Sequence, residues 1–301
     1  MSRDISLLRS WLFVPGDSAR KLERCRNFGA DAIIIDLEDA VLPENKIAAR
    51  TLATDAIAAK PRGNAAMAIR VNALDTGLAF DDLAQTVRCV PDAYVLPKAT
   101  QPEDIVQVSR RIGDLEAANG IAPGTIGLVP IVTESPRAFM NLDANCRADP
   151  RIVAVIWGTE DLSAAMGARR VKDDEGRMLD VFKVVRAMAV LAGSAAGIAV
   201  IDTPVVEIDA ADVLRRESLE AAQMGFTGKL AIHPSQVAPI NEAFLPSRDE
   251  LIYARDLLEA QTQVSDGAFR FRGKMIDMPH IRIARRMAAM ADKHKVETTF
   301  K

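Results

Sequence analysis

Short runs of β-branched and other apolar residues recur along the chain. Each stops at Gly, Pro or an acidic residue and leads into a longer stretch with helical periodicity. That alternation signals βα units. Eight strands are predicted, at residues 10–14, 32–36, 67–71, 93–96, 126–132, 152–157, 197–201 and 229–232. Helices are predicted between them, among them 18–28 with Asp17 or Ser18 as N-cap, 179–193, and 210–224 closed by Gly225. Eight such units predict an α/β fold closed as a (β/α)8 TIM barrel rather than an open sheet. The connection from Trp157 to Gly197 is longer than the others and carries the charged segment 167–177, a place for a lid. His233-Pro234-Ser235-Gln236 then leads into further helices. The expected organisation is a catalytic barrel over 1–245 and a C-terminal helical extension over 246–301, with the polar tail 292–301 fraying.

Length agrees with this plan, because 301 residues hold one barrel of about 250 residues plus an appendage. Apolar residues make up 49% and charged residues 26%, enough for a large core and too apolar for disorder. The net charge of −3 provides no broad positive field for nucleic acid or an anionic membrane, so an anionic ligand must be met locally. Cys25, Cys89 and Cys146 have no C-x-x-C spacing, which argues against a zinc site or disulfide framework and for a reducing cytoplasm. No uncharged apolar stretch of about 18 residues occurs, and no apolar leader core precedes Trp11. A soluble, cytoplasmic protein is expected.

Acids collect at the predicted strand ends, where α/β barrels build their sites. Glu134 follows Ile131-Val132-Thr133, and Asp161 follows Ile156-Trp157-Gly158-Thr159-Glu160. Together they offer two oxygen ligands to Mg²⁺, which completes its octahedron with water and substrate oxygens. Taken singly, each acid could instead cap the following helix. Asp36-Leu37-Glu38-Asp39 adds a third acidic cluster. Arg70 ends the third strand, where its planar fork suits a carboxylate or enolate oxygen, or a structural pairing with Asp36 or Glu38, or both. Lys98 after Leu96-Pro97 reads as a salt-bridging group, with a Schiff-base role as the minor alternative. Of the three histidines only His233 falls at a strand end, and by residue type it reads as a hydrogen-bonded packing group. No nucleotide-binding glycine motif or serine-hydrolase elbow follows a strand.

Several motifs in one order carry a family resemblance: Arg9-Ser10-Trp11-Leu12-Phe13-Val14-Pro15-Gly16, Asp36-Leu37-Glu38-Asp39-Ala40-Val41, Ile69-Arg70-Val71-Asn72, Leu96-Pro97-Lys98, Thr133-Glu134-Ser135, Gly158-Thr159-Glu160-Asp161-Leu162 and Ile232-His233-Pro234-Ser235-Gln236. The chain resembles the citrate lyase β-subunit-like acyl-CoA lyases of the HpcH/HpaI aldolase superfamily over about residues 9–285. The resemblance implies a Mg²⁺-dependent TIM barrel that reversibly cleaves a carbon–carbon bond in a carboxylate-bearing 3-hydroxyacyl thioester. By position it makes Glu134 and Asp161 the metal ligands and Arg70 the group on substrate carboxylate and thioester enolate. Asp36 would act in catalysis through a metal-bound water. Phe13, Pro15 and Gly16 would lie along the coenzyme A arm, with Arg20, Lys21 and Arg24 on its phosphates and His233 in the substrate-binding set. Gly273-Lys274-Met275-Ile276-Asp277-Met278-Pro279 resembles the C-terminal segment that, in longer relatives, brings an aspartate to a neighbouring subunit's site. Asp277 would handle the proton at the enolate carbon.

These implications define the expected activity: a free-standing lyase acting on malyl-CoA, methylmalyl-CoA or citramalyl-CoA. Its partners would be an acyl-CoA and a 2-oxo acid, glyoxylate or pyruvate, and its assembly a homotrimer or dimer of trimers. The alternatives are a citrate lyase β subunit acting on the thioester of an acyl-carrier protein, and a malyl-CoA thioesterase. A non-catalytic interaction protein is disfavoured by the joint presence of Arg70, Glu134, Asp161 and Asp277.

Overall fold

The computed structural model describes residues 5–59, 63–263 and 267–296. Among these, parallel strands β1 (Ser10–Pro15), β2 (Ala32–Asp36), β3 (Ala66–Arg70), β4 (Ala93–Leu96), β5 (Gly127–Pro130), β6 (Ala154–Ile156), β7 (Ala199–Asp202) and β8 (Gly228–Ala231) pair in the order β5-β4-β3-β2-β1-β8-β7-β6. Parallel bridges Leu128↔Ile152 and Ile131↔Ile156 join β5 to β6 and close the ring. This is the TIM barrel expected from the alternation of short apolar runs and helices.

The period of two along each strand decides what fills the barrel. Trp11, Ile34, Ala66, Ala68, Ala93, Val95, Val129, Ala154, Ile156, Ala199, Ile201 and Leu230 share one buried cluster. The alanines leave room for the Trp11 indole, which is fully buried. Small and large residues thus fill the interior together, and the barrel is a packed core rather than a pore.

Two helices differ from the sequence expectation. The segment 18–28 forms an α-helix only over Ala19–Arg24. It then tightens into a 3₁₀ turn over Cys25–Phe28, ended by left-handed Gly29 at φ 72°. The helix expected to stop at Gly193 runs over Asp180–Ala196 and ends at Gly197. Gly193 is a packing residue: a Cβ there would meet Val200 Cγ2 at 2.3 Å, so its hydrogen lets the helix lie close on β7. The charged segment after the helix Glu160–Met166 is pinned by an antiparallel Lys172↔Met178 bridge and by exposed ion pairs such as Arg177–Asp173 at 2.9 Å.

The chain divides into two compact units, Met1–Asn241 and Glu242–Lys301. The second has its own small core of Ala254, Leu257, Ile276, Ile281 and Ala284. It is not all helix. Between the helices Arg248–Thr262 and Met278–Lys293 stands a hairpin of β9 (Phe269–Phe271) and β10 (Lys274–Ile276), turned by Arg272 at φ 45° and Gly273 at φ 79°. Both central residues have positive φ, the geometry of a tight hairpin turn. Residues 297–301 of the polar tail lie outside the described residues. Among the described residues, no helix is long and apolar enough to cross a membrane.

Candidate active site

The inward-facing period that fills the barrel continues past the core to its C-terminal mouth, where the chemistry changes from apolar to charged. Stepping by two from the core residues gives Phe13 and Pro15 from Trp11, Asp36 from Ile34, Arg70 from Ala68, Gly158 from Ile156, Thr203 from Ile201 and Ile232 from Leu230. All of them line one cavity of ≈ 440 Å³, together with Glu134, Glu160 and Asp161. Gly16 fixes the wall at β1: its N–H donates to Asp36 O at 2.8 Å, and a Cβ would come within 2.7 Å of that oxygen.

Arg70 and Asp36 form the rigid part of the site. Arg70 Nε and one terminal amino group donate to the two Asp36 oxygens at 2.7 and 2.6 Å, a bidentate fork. Glu38 N and Ala40 N also donate to Asp36, at 2.9 and 3.0 Å. These four bonds fill the acceptor capacity of the carboxylate, so what it visibly does is orient Arg70. The other Arg70 amino group stands 3.0 Å from Glu38 Oε2, and its guanidinium carbon lies 4.8 Å from the Phe13 ring centroid. Burial works against the charged guanidinium, but Asp36, with Glu38 and Asp39, outweighs it and holds the pKa above its ordinary value. The structural pairing expected of Arg70 is present, and the residue still lines the cavity.

Glu38 and Lys98 form a second tier that the sequence reading treated only as salt bridging. Lys98 Nζ donates to Glu38 Oε1 at 2.8 Å, while its backbone N–H donates to Glu134 Oε2. Lys98 adopts φ 53°, uncommon for a residue with a side chain. The chain thus turns sharply at the residue whose amide meets Glu134. Pro97 and the apolar strand before Lys98 gave a mouth cation, but nothing in the sequence signalled the amide's direction.

Helix capping does not account for Glu134. The cap of the helix Pro136–Met140 is Ser135, whose Oγ accepts from Ala138 N at 3.1 Å. Asp161 sits in the first turn of Glu160–Met166, which has no side-chain cap hydrogen bond. Gly158 lies between the two acids, 3.5 Å from Glu134 Cγ to a built Cβ. Burial pushes the Glu134 carboxyl up to about 8; the Lys98 amide opposes this, and the nearby Glu38 and Asp161 charges reinforce it. A buried carboxylate facing other acids, with the Arg70 charge nearby but no ion pair of its own among the described residues, is a donor set that fits a divalent metal. Among the described residues no three His, Cys, Asp or Glu side chains gather as a cage. A metal at Glu134 and Asp161 would therefore take its other ligands from water and substrate.

The raised Glu134 pKa carries a sign. The folded state holds this proton more tightly than the unfolded chain, so the contribution to stability is full below the ordinary carboxyl range and is lost as pH rises toward about 8. In metal-free protein, Tm should fall between pH 5 and 8 by more in the wild type than in Glu134→Gln. Parallel melting curves for the two would contradict this environment.

Arg20, Lys21, Arg24 and His233 line an adjoining cavity of ≈ 470 Å³ that shares Phe13, Pro15 and Ile232 with the first. The structure thus brings the expected phosphate-contact residues beside the mouth. His233 Nδ1 lies 2.7 Å from Ser235 Oγ and caps the turn Pro234–Gln236; the residue is hydrogen-bonded as expected but exposed rather than packed, and it lines the basic groove. Asp277 lies in the second unit and is not among the residues lining either cavity. It stands half-exposed at the N-cap of Met278–Lys293, with Oδ1 2.6 Å from His280 Nδ1.

Fold and site together define a TIM barrel with a carboxylate-and-arginine mouth and a basic groove beside it. The model of the HpcH/HpaI aldolase/citrate lyase family matches residues 9–234, and the chain belongs to that family. It is 32% identical over 300 residues to mitochondrial citramalyl-CoA lyase of Mus musculus, covering 95% of this chain and 87% of that one. It is 31% identical over 297 residues to (3S)-malyl-CoA thioesterase of Cereibacter sphaeroides, covering 97% of each. Among solved structures, CitE from Mycobacterium tuberculosis in complex with magnesium, acetoacetate and coenzyme A aligns with a TM-score of 0.78 at 29% identity, over 96% of this chain and 100% of that one.

Proposed function

We propose that the chain is a Mg²⁺-dependent carbon–carbon lyase for a carboxylate-bearing 3-hydroxyacyl-CoA, with malyl-CoA, methylmalyl-CoA or citramalyl-CoA as substrate and glyoxylate or pyruvate as the 2-oxo acid. The observation that carries this reading is one cavity holding Glu134, Asp161 and the Asp36-anchored Arg70 beside a groove lined by Arg20, Lys21 and Arg24. The names of the relatives, and the magnesium and coenzyme A of the CitE complex, support it.

Glu134 and Asp161 would hold the metal, which when bound supplies a Lewis acid for the oxygen at the cleaved bond. Arg70 presents its remaining N–H groups to the thioester oxygen as enolate charge develops there, and needs no reorganisation because Asp36 already fixes it. Phe13 keeps water from the guanidinium face. Arg20, Lys21 and Arg24 meet coenzyme A phosphates. Asp277 moves the proton at the enolate carbon.

Assembly belongs to the same proposal. Met275 and Met278 beside Asp277, and Ile283 on the same helix, are exposed apolar residues, which supports docking of residues 246–301 on a neighbouring subunit in a homotrimer or dimer of trimers. Mixed oligomers of inactive Asp277→Ala and inactive Glu134→Gln subunits should regain part of the activity, since some hybrid sites receive both intact groups. No recovery in verified mixed oligomers would rule out the shared site. The three buried free cysteines support a reducing compartment, with the cytoplasm as our reading.

Incubating the protein and Mg²⁺ with paired acyl-CoAs and glyoxylate or pyruvate tests the reaction class. Condensation with one pair supports the lyase. Release of free coenzyme A after condensation identifies the thioesterase variant, and activity confined to carrier-protein thioesters points to a citrate lyase subunit.

A further inference from the structure

Behind the mouth, in the layer between strands and helices, lies a buried polar node that the proposed chemistry does not use. Asp202 ends β7, facing outward from the interior residue Ile201, and is fully buried. Trp157, just past β6, donates from Nε1 to Asp202 Oδ1 at 2.7 Å. Lys229 of β8 donates from Nζ to Asp202 Oδ2 at 2.6 Å and to the Thr203 carbonyl at 2.7 Å. Arg186, from the helix Asp180–Ala196, completes the set at 3.2 and 3.1 Å. Burial disfavours the Asp202 charge, but Lys229 and Arg186 outweigh it and hold its pKa below the usual carboxylate range.

The donors come from the end of β6, from β8 and from the helix Asp180–Ala196, and two of the bonds act on segments that line the catalytic cavity. Trp157 immediately precedes the Gly158–Asp161 turn. The Thr203 carbonyl held by Lys229 belongs to the Thr203–Pro204 wall, and the Thr159 and Thr203 hydroxyls meet at 3.1 Å. On its other side, Gly158 N–H donates to Thr133 Oγ1 at 3.0 Å, next to Glu134. The turn carrying Asp161 is therefore gripped from the Glu134 side by a hydroxyl and from the β7 side by an indole. A purely space-filling core at this depth would do as well with apolar residues, since buried ion pairs add little net stability.

We infer that Asp202 and Trp157 are positioning residues of the mouth: the indole–carboxylate bond fixes the Gly158–Asp161 turn against β7, and Lys229 fixes the Thr203 wall from the same carboxylate. The consequence for metal binding rests on Asp161 being a ligand, as proposed above; the consequence for backbone order does not.

Trp157→Phe is the discriminating variant, because it keeps an aromatic ring and removes only the N–H. Asp202→Asn strips the fully buried Lys229 of its counter-charge, leaves Arg186 with Glu220 alone at 3.1 Å, and threatens the fold itself. In metal-free protein, amide hydrogen exchange at Trp157 and Gly158 should quicken about tenfold or more in Trp157→Phe, while the far side of the barrel around β2 and β3 keeps its protection. By calorimetry, the Mg²⁺ dissociation constant should rise about 10- to 100-fold. Wild-type exchange at these amides, or a rise spread evenly over the barrel, would overturn the inference. A wild-type protein that binds no Mg²⁺ would overturn the metal reading instead, with the exchange comparison still deciding the positioning role.

Discussion

Glu134→Gln and Asp161→Asn each lower lyase turnover by at least about a thousandfold, the scale expected when metal-assisted charge stabilisation worth several kcal/mol is lost. Both substitutions remove a ligand charge while keeping nearly the same shape. Glu134→Gln should also leave metal-free protein at least as stable as wild type at pH 8. Burial and the neighbouring Glu38 and Asp161 charges already make the ionised Glu134 side chain unfavourable there. A fall in activity caused by unfolding is thereby separated from one caused by lost metal. The check is calorimetric titration with Mg²⁺ beside a thermal melt. Wild-type Mg²⁺ affinity in both variants would refute the ligand assignment.

Arg70 carries the second large effect. Arg70→Met removes the cation from the thioester and leaves Asp36, 1% exposed, as an uncompensated buried carboxylate, a change that typically costs about 3–5 kcal/mol of stability. Activity must therefore be compared at a temperature where both proteins are folded. There kcat should fall by about 10²–10³. Arg70→Lys keeps the charge but not the planar fork that spans Nε and a terminal amino group on Asp36, so its kcat should fall too, but by less than that of Arg70→Met. Unchanged kinetics in Arg70→Met with a dicarboxylate-bearing thioester would make Arg70 structural only.

Much of this site could be read from the chain because strand ends are easy to see. Glu134, Asp161, Asp36 and Arg70 each follow an apolar run, and a barrel brings such ends to one mouth whatever the helices between them do. The structure adds a regularity to the strand-end rule: Phe13, Asp36, Arg70 and Thr203 all lie two residues beyond interior positions that fill the core. What the sequence did not show depends on contacts between distant segments. Lys98 read as a salt bridge, and its side chain does pair with Glu38; that its backbone is left-handed and its amide meets Glu134 has no signature in Pro97-Lys98. Gly193 looked like the end of a helix, whereas its bare Cα is what lets the helix lie against Val200. The Asp202 node was invisible for the same reason, since Trp157, Arg186 and Lys229 are 45, 16 and 27 residues away from it. The hairpin at Arg272-Gly273 falls inside a segment expected to be helical, because strands of three residues each are too short to show a period of two.

The central claim is that this mouth breaks a carbon–carbon bond in a thioester-bound hydroxy acid. Its most direct test is mass spectrometry of the products formed when malyl-CoA, methylmalyl-CoA and citramalyl-CoA are each incubated with the protein and Mg²⁺. The account predicts that at least one of them yields a shorter acyl-CoA and a 2-oxo acid in equal amounts, and that chelation of the metal stops both. Free coenzyme A with the hydroxy diacid intact, or no conversion of any of the three, would contradict it.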